Sequence, residues 1–600
     1  MPPLESSEIK DRLSATLTAA QWDRLGYRKR AGVAVPLFSL YSEKSQGIGD
    51  YTDLTLLADW CEQCGLTVIQ LLPLNDVGFN FRPYDALSMF ALEPMYISLR
   101  ALKGVDAKEY SRQLKSLQQN FPTGSIRVNY TVKSAKLELL WTVFLSRNWD
   151  TVDDFKLFLE DNRFWIDDYA LFKIIKQYQG DKNWEDWETP LRQRDPGVLA
   201  AFGKAHTQEV AFQKWLQWQA AAQLQSAKQY ANQKGIYLMG DIPFLVSRDS
   251  ADVWSRQEYF KLHLASGAPP DAYSAMGQRW GMPPYHWEAM AAKGYDYLIH
   301  KLKVAERFFD LYRIDHFVGV FRLWTIELGE SLDRGGLNGR FDPADESLWE
   351  EHGRRLVEVM RQATAMLPCA EDLGVIPHCS YKILDKYGIL GMDIQRWNRD
   401  WAQTFRFKAP EDYRFKSIAV ISTHDMSSFR TWWEYEAGTV DEEYFKRKCE
   451  QRGMDFGWFK DRLFDPVSGL PGRLHWKPEI DSADRLAAIM GRPVHELKEF
   501  TELYSSTYAE PVQFWDYLGL PQPWKYGFSN RLGKAALAAI NRSASMFSIQ
   551  MMQDWTCMSR IYKDIDFSTY RINAPGTVSD ENWTLVLPIS LEQFLELPEK

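Results

Sequence analysis

Eight short runs of apolar and β-branched residues recur along the 600-residue chain, separated by longer stretches of helical spacing. The runs are Val33 to Leu40, Thr67 to Leu74, Ile236 to Val246, Leu311 to Phe317, Pro368 to Leu373, Met392 to Gln395, Ile418 to Thr423 and Met546 to Met551. Strands buried on both faces and joined by helical crossovers form parallel sheets. Eight of them predict an α/β fold of the (β/α)8 TIM-barrel type, with its active site at the C-terminal ends of the strands. The spacing is uneven. Helical periodicity fills 76–234, where Ala211, Trp215, Trp218 and Ala222 recur at four, three and four residues, and further helices with a Pro/Gly-rich loop at 466–472 fill 427–544. The expected organisation is a catalytic barrel from 1–75, 235–426 and 545–600, a mainly helical insertion at 76–234 after strand 2, and a helical insertion at 427–544 between strands 7 and 8, flanking the active site. At about 150 residues per domain the length would allow about four domains. With no repeat, low-complexity tract or flexible linker, one enlarged barrel is the simpler reading, and no C-terminal β-sandwich is expected.

The charge balance restricts the partners. With 71 basic against 80 acidic side chains and a net charge of -9, the chain offers no basic field for nucleic acid or an anionic membrane. The Met1 to Arg12 segment is mixed in charge with no apolar core, and no apolar run reaches about 18 residues, which points to a cytoplasmic protein. Six scattered cysteines do not make a disulfide framework. Cys61 and Cys64 resemble a redox pair, but the helical spacing from Asp50 to Gly65 puts them at the end of a helix, where a buried, inert pair is expected. Gly47-Ile48-Gly49-Asp50 lacks the third glycine of a dinucleotide loop, and no phosphate loop, serine elbow or zinc-ligand spacing occurs. No metal and no cofactor are expected. A neutral ligand suits this inventory, and an aromatic content of 14%, with 24 Trp, hints at carbohydrate.

Three strand runs end in acids: Arg313-Ile314-Asp315, Ala370-Glu371-Asp372 and Thr423-His424-Asp425. One such residue is commonly a cap or a surface group. Three on one barrel rim converge on a pocket. Arg313 and Asp315, two apart, share a strand face, so the guanidinium should keep Asp315 ionised as a nucleophile. Glu371, in apolar surroundings near other carboxylates, should hold a proton near neutrality and serve as a general acid. Carboxyls about 5–5.5 Å apart would give a retaining mechanism, and a wider gap an inverting one.

At these residues the chain resembles the amylomaltase or disproportionating-enzyme family, the 4-α-glucanotransferases, relatives of the α-amylase barrels. The resemblance extends to Gly47-Ile48-Gly49-Asp50, Pro83-Tyr84 through Ala91, Gly240-Asp241-Ile242-Pro243, Asp249 through Trp254, Gly267 through Gly281, and Arg571-Ile572-Asn573-Ala574-Pro575-Gly576-Thr577 with Asn582-Trp583, and so spans about 30–585. It implies that Asp315 is the nucleophile, Glu371 the acid/base and Asp425 the carboxylate that binds sugar hydroxyls and stabilises the transition state. It implies further that Arg313 and His424 contact the nucleophile and the sugar at subsite −1, that Tyr84 is a platform beneath that sugar, that Asp241 supports the end of strand 3, and that Asp271 and Trp280 lie near the acceptor sites. Core packing is the competing reading for Tyr84 and Trp280, and a structural hydrogen bond for Arg313 and His424. The implied partners are maltooligosaccharides, α-1,4-glucans and glucose or maltose, bound by a monomer or homodimer.

Some positions depart from the family. Phe317-Val318-Gly319 replaces the common Phe-Arg-Gly, Asn75-Asp76-Val77-Gly78 replaces a Gly/Ser-rich approach, and Met426-Ser427-Ser428 follows the His-Asp pair. These resemble the maltose-using cytosolic branch, without its starch-binding modules. Two alternatives stand beside a glucanotransferase: a retaining α-glucan hydrolase using the same carboxylates, and a non-catalytic glycan-binding protein, which three intact acids argue against.

Overall fold

The computed structural model describes residues 6–270, 276–466, 472–523, 525 and 527–597. Eight strands form one parallel sheet: β1 (Arg30–Val35), β2 (Val68–Leu71), β3 (Tyr237–Ile242), β4 (Leu311–Ile314), β5 (Leu367–Ala370), β6 (Gly391–Ile394), β7 (Ser417–Val420) and β8 (Phe547–Met551). The order is β6-β7-β8-β1-β2-β3-β4-β5, so β8 returns to lie between β7 and β1. A parallel bridge between Cys369 and Leu390 joins the two ends, with the Ala370 N–H donating to the Leu390 carbonyl at 2.7 Å. The sheet is thus a (β/α)8 barrel, built from the eight runs expected. Each strand is short and almost wholly buried, which explains why the runs are continuously apolar instead of alternating. Close packing reaches the backbone: a Cβ at Gly240, beside Asp241, would lie 2.4 Å from the Phe309 ring.

Helix Asp53–Cys64 connects β1 to β2 and packs on β2. Its first N–H groups are met by the Asp50 carboxylate, which accepts from Thr52 N at 2.8 Å and Asp53 N at 3.3 Å, and Gly65 ends it in the left-handed conformation. Cys61 is buried and Cys64 half-buried at its end, where burial pushes the Cys61 thiol far up.

Between β2 and β3 lie helices Ser111–Asn120, Val132–Leu145, Asp153–Asp161, Ile166–Tyr178 and Thr207–Gln233. The last carries Trp215 and Trp218, packed against Trp149. It also performs the barrel crossover, since the Tyr230 hydroxyl donates to Asp59 at 2.7 Å and Lys228 Nζ to the Phe309 carbonyl at 2.6 Å. The helical excursion proper therefore precedes this helix, although all of 76–234 reads alike in the sequence. Helix Asn530–Asn541 packs beneath β7 in the same way. Segment 427–544, expected to be helical, also holds a three-stranded antiparallel sheet of Thr439–Asp441, Arg473–Trp476 and Phe464–Pro466 over its own apolar cluster. A second unexpected sheet, of Gln278–Arg279, Leu264–Ala268, Leu323–Glu327 and Arg340–Asp342, stands at the ends of β3 and β4. Strands of two to five residues are too short to show a period of two. After β8 the described residues form helices and turns, and among the described residues no helix is long and apolar enough to cross a membrane.

The excursion is locked to the barrel by buried charge. Asp76, just after β2, and Glu93 bracket a loop that carries Tyr84. Lys133, 1% exposed, lies 3.4 Å from Asp76 and 2.6 Å from Glu93, and also donates to the Gly78 carbonyl. Two further donors reach Asp76 Oδ2: Lys173 Nζ at 2.8 Å and the Tyr169 hydroxyl at 2.6 Å. Burial alone would raise the Asp76 carboxyl, but Lys173 and Lys133 hold it well below the usual range. The Asp76 carbonyl accepts from Leu87 N at 2.7 Å, closing the loop over Tyr84.

Candidate active site

The register of the barrel brings the candidate residues together. Asp241 on β3 pairs with Arg313 on β4, which pairs with Cys369 on β5. Both Asp241 and Arg313 point inward, where Arg313 Nη1 donates to the two Asp241 oxygens at 2.7 and 2.8 Å. The same nitrogen donates to Asp315 Oδ1 at 3.0 Å, and Nη2 lies 3.7 Å from Glu371 Oε2. One buried guanidinium therefore holds three carboxylates at the strand ends.

Beyond β4 the backbone makes a forced turn. His316 has φ 47 and ψ 52, a left-handed conformation that costs a residue with a Cβ about 1–2 kcal/mol. The turn aims the His316 N–H at Glu371 Oε2, 2.7 Å away, while the Phe317 N–H donates to the Glu371 carbonyl at 3.2 Å. Strain of this kind is retained where geometry matters.

Burial sets the protonation order. It raises the Glu371 carboxyl to about 8, Arg313 opposing and Asp315 adding to the rise. Burial also raises Asp315, to about 6, again against Arg313. The sequence reading kept Asp315 ionised through the guanidinium; desolvation outweighs that effect, so Asp315 titrates above an ordinary aspartate but still below neutrality. The order it implied remains, because Glu371 holds its proton to higher pH than Asp315. Arg313 is driven further up by its three carboxylates and stays charged.

Tyr84 links Asp241 to His424. The Tyr84 hydroxyl donates to Asp241 Oδ2 at 2.7 Å and lies 2.9 Å from His424 Nε2, with the two rings stacked at 5.4 Å and 19°. His424 Nε2 is 3.4 Å from Asp425 Oδ2, and burial lowers the imidazole so that it is neutral. Asp425 is 44% exposed, the most open of the three acids. Trp280 sets its ring edge against His316 at 4.8 Å and donates to Gln278 Oε1 at 2.9 Å. Asp271 lies outside the described residues.

The sequence reading missed the groups that anchor Asp425. Asn573 Nδ2 donates to Asp425 Oδ1 at 2.7 Å, and Arg571 Nη2 to the Asp425 carbonyl at 2.8 Å. Trp583 lies 5.8 Å from Tyr84 and 5.9 Å from His424. All three sit in the closing motif, so the signal was present without a role attached. His316, adjacent to Asp315, was also unassigned; burial lowers its imidazole to about 4, leaving it neutral.

A cleft of about 1080 Å³ opens over these groups, lined by Arg313, His316, Glu371, His424, Asp425 and Trp280, and on its far wall by Tyr444 and Leu503 of the 427–544 segment. An ionised carboxylate, held by Arg313 beside a cleft that a protonated one and a third open acid line, can perform nucleophilic and acid/base chemistry on a neutral polyhydroxylated ligand.

Comparison with known proteins gives the following likenesses. A family model described as 4-alpha-glucanotransferase matches residues 35–590. The chain is 30% identical over 582 residues to the 4-alpha-glucanotransferase of Chlamydia pneumoniae, covering 96% of this chain and 95% of the relative. It is 29% identical over 578 residues to that of Chlamydia muridarum, covering 96% and 94%. In structure it resembles the amylomaltase from Streptococcus agalactiae in complex with acarbose, with TM-score 0.68, 21% identity and coverage of 95% of this chain and 98% of the other. It also resembles the amylomaltase from Corynebacterium glutamicum, with TM-score 0.70, 20% identity and coverage of 98% and 76%. At these identities the structural likeness lies in the fold.

Proposed function

The chain belongs to the 4-alpha-glucanotransferase family, and on that premise we propose that it moves α-1,4-glucan segments between maltooligosaccharides by double displacement, with Asp315 as nucleophile and Glu371 as acid/base. The observation that carries this reading is the single Arg313 guanidinium shared by Asp315 and Glu371, with Glu371 the later of the two to ionise. Asp315 attacks the anomeric carbon while Glu371 gives its proton to the departing glycosidic oxygen. The product is a β-glucosyl-enzyme and a shortened glucan. Glu371, now ionised, takes the proton of the 4-hydroxyl of an incoming glucan, maltose or glucose, which displaces Asp315 and restores the α-linkage. Asp425, held by Asn573, binds ring hydroxyls during both steps, and neutral His424 supports it. Trp280 and Asp271 belong to the acceptor side, and the walls raised by the 264–342 sheet and the 427–544 segment favour a sugar acceptor over water.

The test is incubation with maltotriose. Transfer yields a ladder of longer oligosaccharides with glucose, whereas release of short sugars alone would defeat the transfer reading. Trapping the glycosyl adduct and locating it by peptide mass spectrometry tests Asp315, and an adduct on another residue would remove that assignment.

A further inference from the structure

Trp401, on the loop that follows β6, is used by none of the steps above, yet it is one of the most exposed tryptophans of the molecule, at 49%, and it lines the same cleft as Glu371 and Asp425. Its ring is held on several sides. The indole N–H donates to the Trp397 carbonyl at 2.8 Å, and Phe405 meets the ring edge-on at 6.3 Å. The Arg399 guanidinium lies over the ring at 5.5 Å and over the Phe407 ring at 4.0 Å. Arg399 is itself only 3% exposed, donating to the Ser506 carbonyl at 2.9 Å and bonded to the Glu510 carboxylate, both in the 427–544 segment. A large flat ring, fixed by a buried cation and left half-open to a polar cleft, offers a rigid apolar face on which a ligand in that cleft can stack. The cleft, about 1080 Å³, is at the upper end of what a single drug-sized ligand occupies, so it has room for a chain and not just a disaccharide.

We infer that Trp401, backed by Arg399, is a stacking platform for a glucose unit of an α-1,4-glucan several units away from the bond being exchanged. The inference rests on the glucan-transfer reading and deepens it: the platform makes the enzyme favour long chains over short ones. The 427–544 segment enters this preference through Ser506 and Glu510, which hold Arg399, and through Tyr444 and Leu503, which line the same cleft.

The test compares initial rates on maltotriose and maltoheptaose for the wild type, Trp401→Ala, Trp401→Leu and Trp401→Phe. The ratio of kcat/KM for maltoheptaose to that for maltotriose should fall about tenfold in the Ala and Leu variants, the effect of removing one aromatic anchor. Phe, which keeps a flat ring, should restore most of it. Calorimetric titration of maltoheptaose into Asp315→Asn with and without Trp401→Leu should show the same factor in Kd. An unchanged ratio, whether both rates fall together or neither does, overturns the platform. A wild type that makes no ladder from maltotriose overturns the transfer reading instead.

Discussion

Replacing Arg313 by Gln should move the acid limb of the pH–rate profile upward. In the wild type kcat/KM reports free-enzyme ionisations. It requires Asp315 ionised and Glu371 protonated, so it should rise through about 6 and fall through about 8, peaking near neutrality. Arg313 opposes the rise of both carboxyls; without it, each binds its proton more tightly and both limbs shift to higher pH. An ion pair at about 4 Å in an effective dielectric of about 20 is worth about 4 kcal/mol, or about three pK units, which is a ceiling. Asp315 is 26% exposed and shares the guanidinium with two other acids, so a shift of about one to two units is expected. At pH 6, where the wild type keeps about half its maximal kcat/KM, the variant should keep about a tenth or less. The assay is glucose release from maltotriose between pH 4.5 and 9, with circular dichroism at each pH to establish that the barrel is intact. Because Asp241, fully buried, loses its cation, Arg313→Gln combined with Asp241→Asn provides a second variant without that unpaired charge. An acid limb that stays in place while the rate drops would refute the claim that Arg313 opposes the rise of the Asp315 carboxyl.

Other outcomes follow from the same geometry. Asp315→Asn should abolish turnover by at least about a thousandfold while glucan binding stays measurable by calorimetry, and a fully active variant removes the nucleophile assignment. Asn573→Ala deletes a hydrogen bond to a carboxylate, worth about 1.5–3 kcal/mol, and should lower kcat about 10- to 150-fold with the pH limbs unmoved; a wild-type kcat would mean that Asp425 needs no anchor. Lys133→Met leaves Glu93 buried without its cation and should cost about 3–5 kcal/mol in urea-induced unfolding, whereas an unchanged midpoint would show that the buried charges stabilise nothing.

The eight barrel strands were legible because burial on both faces writes them as unbroken apolar runs. Their limits were less so: Val33 to Leu40 was expected where the strand is Arg30–Val35, since Pro36 and the turn Leu37–Ser39 continue the apolar pattern after pairing has ended. The two small antiparallel sheets left no periodic trace, and the crossover role of Thr207–Gln233 depends on contacts with Asp59 and Phe309 that helical spacing does not encode. Within the site, acids at strand ends could be found one strand at a time. The anchors of Asp425 could not, because Asn573 meets it across 148 positions of chain. Nor could the pKa of Asp315, since a neighbouring arginine is visible in sequence and the depth of its surroundings is not.

The dependence of Asp425 on Arg571 and Asn573 has a consequence for how the enzyme comes into being. Synthesis runs from β1 toward the C-terminus, so the chain carries Asp315 and Glu371 long before β8 is made to close the sheet, and the clamp on Asp425 emerges later still. A growing chain therefore holds Asp315 and Glu371 without the strand that closes the barrel around them. The site is complete only when the last strand lies between the first and the seventh and the closing motif reaches Asp425.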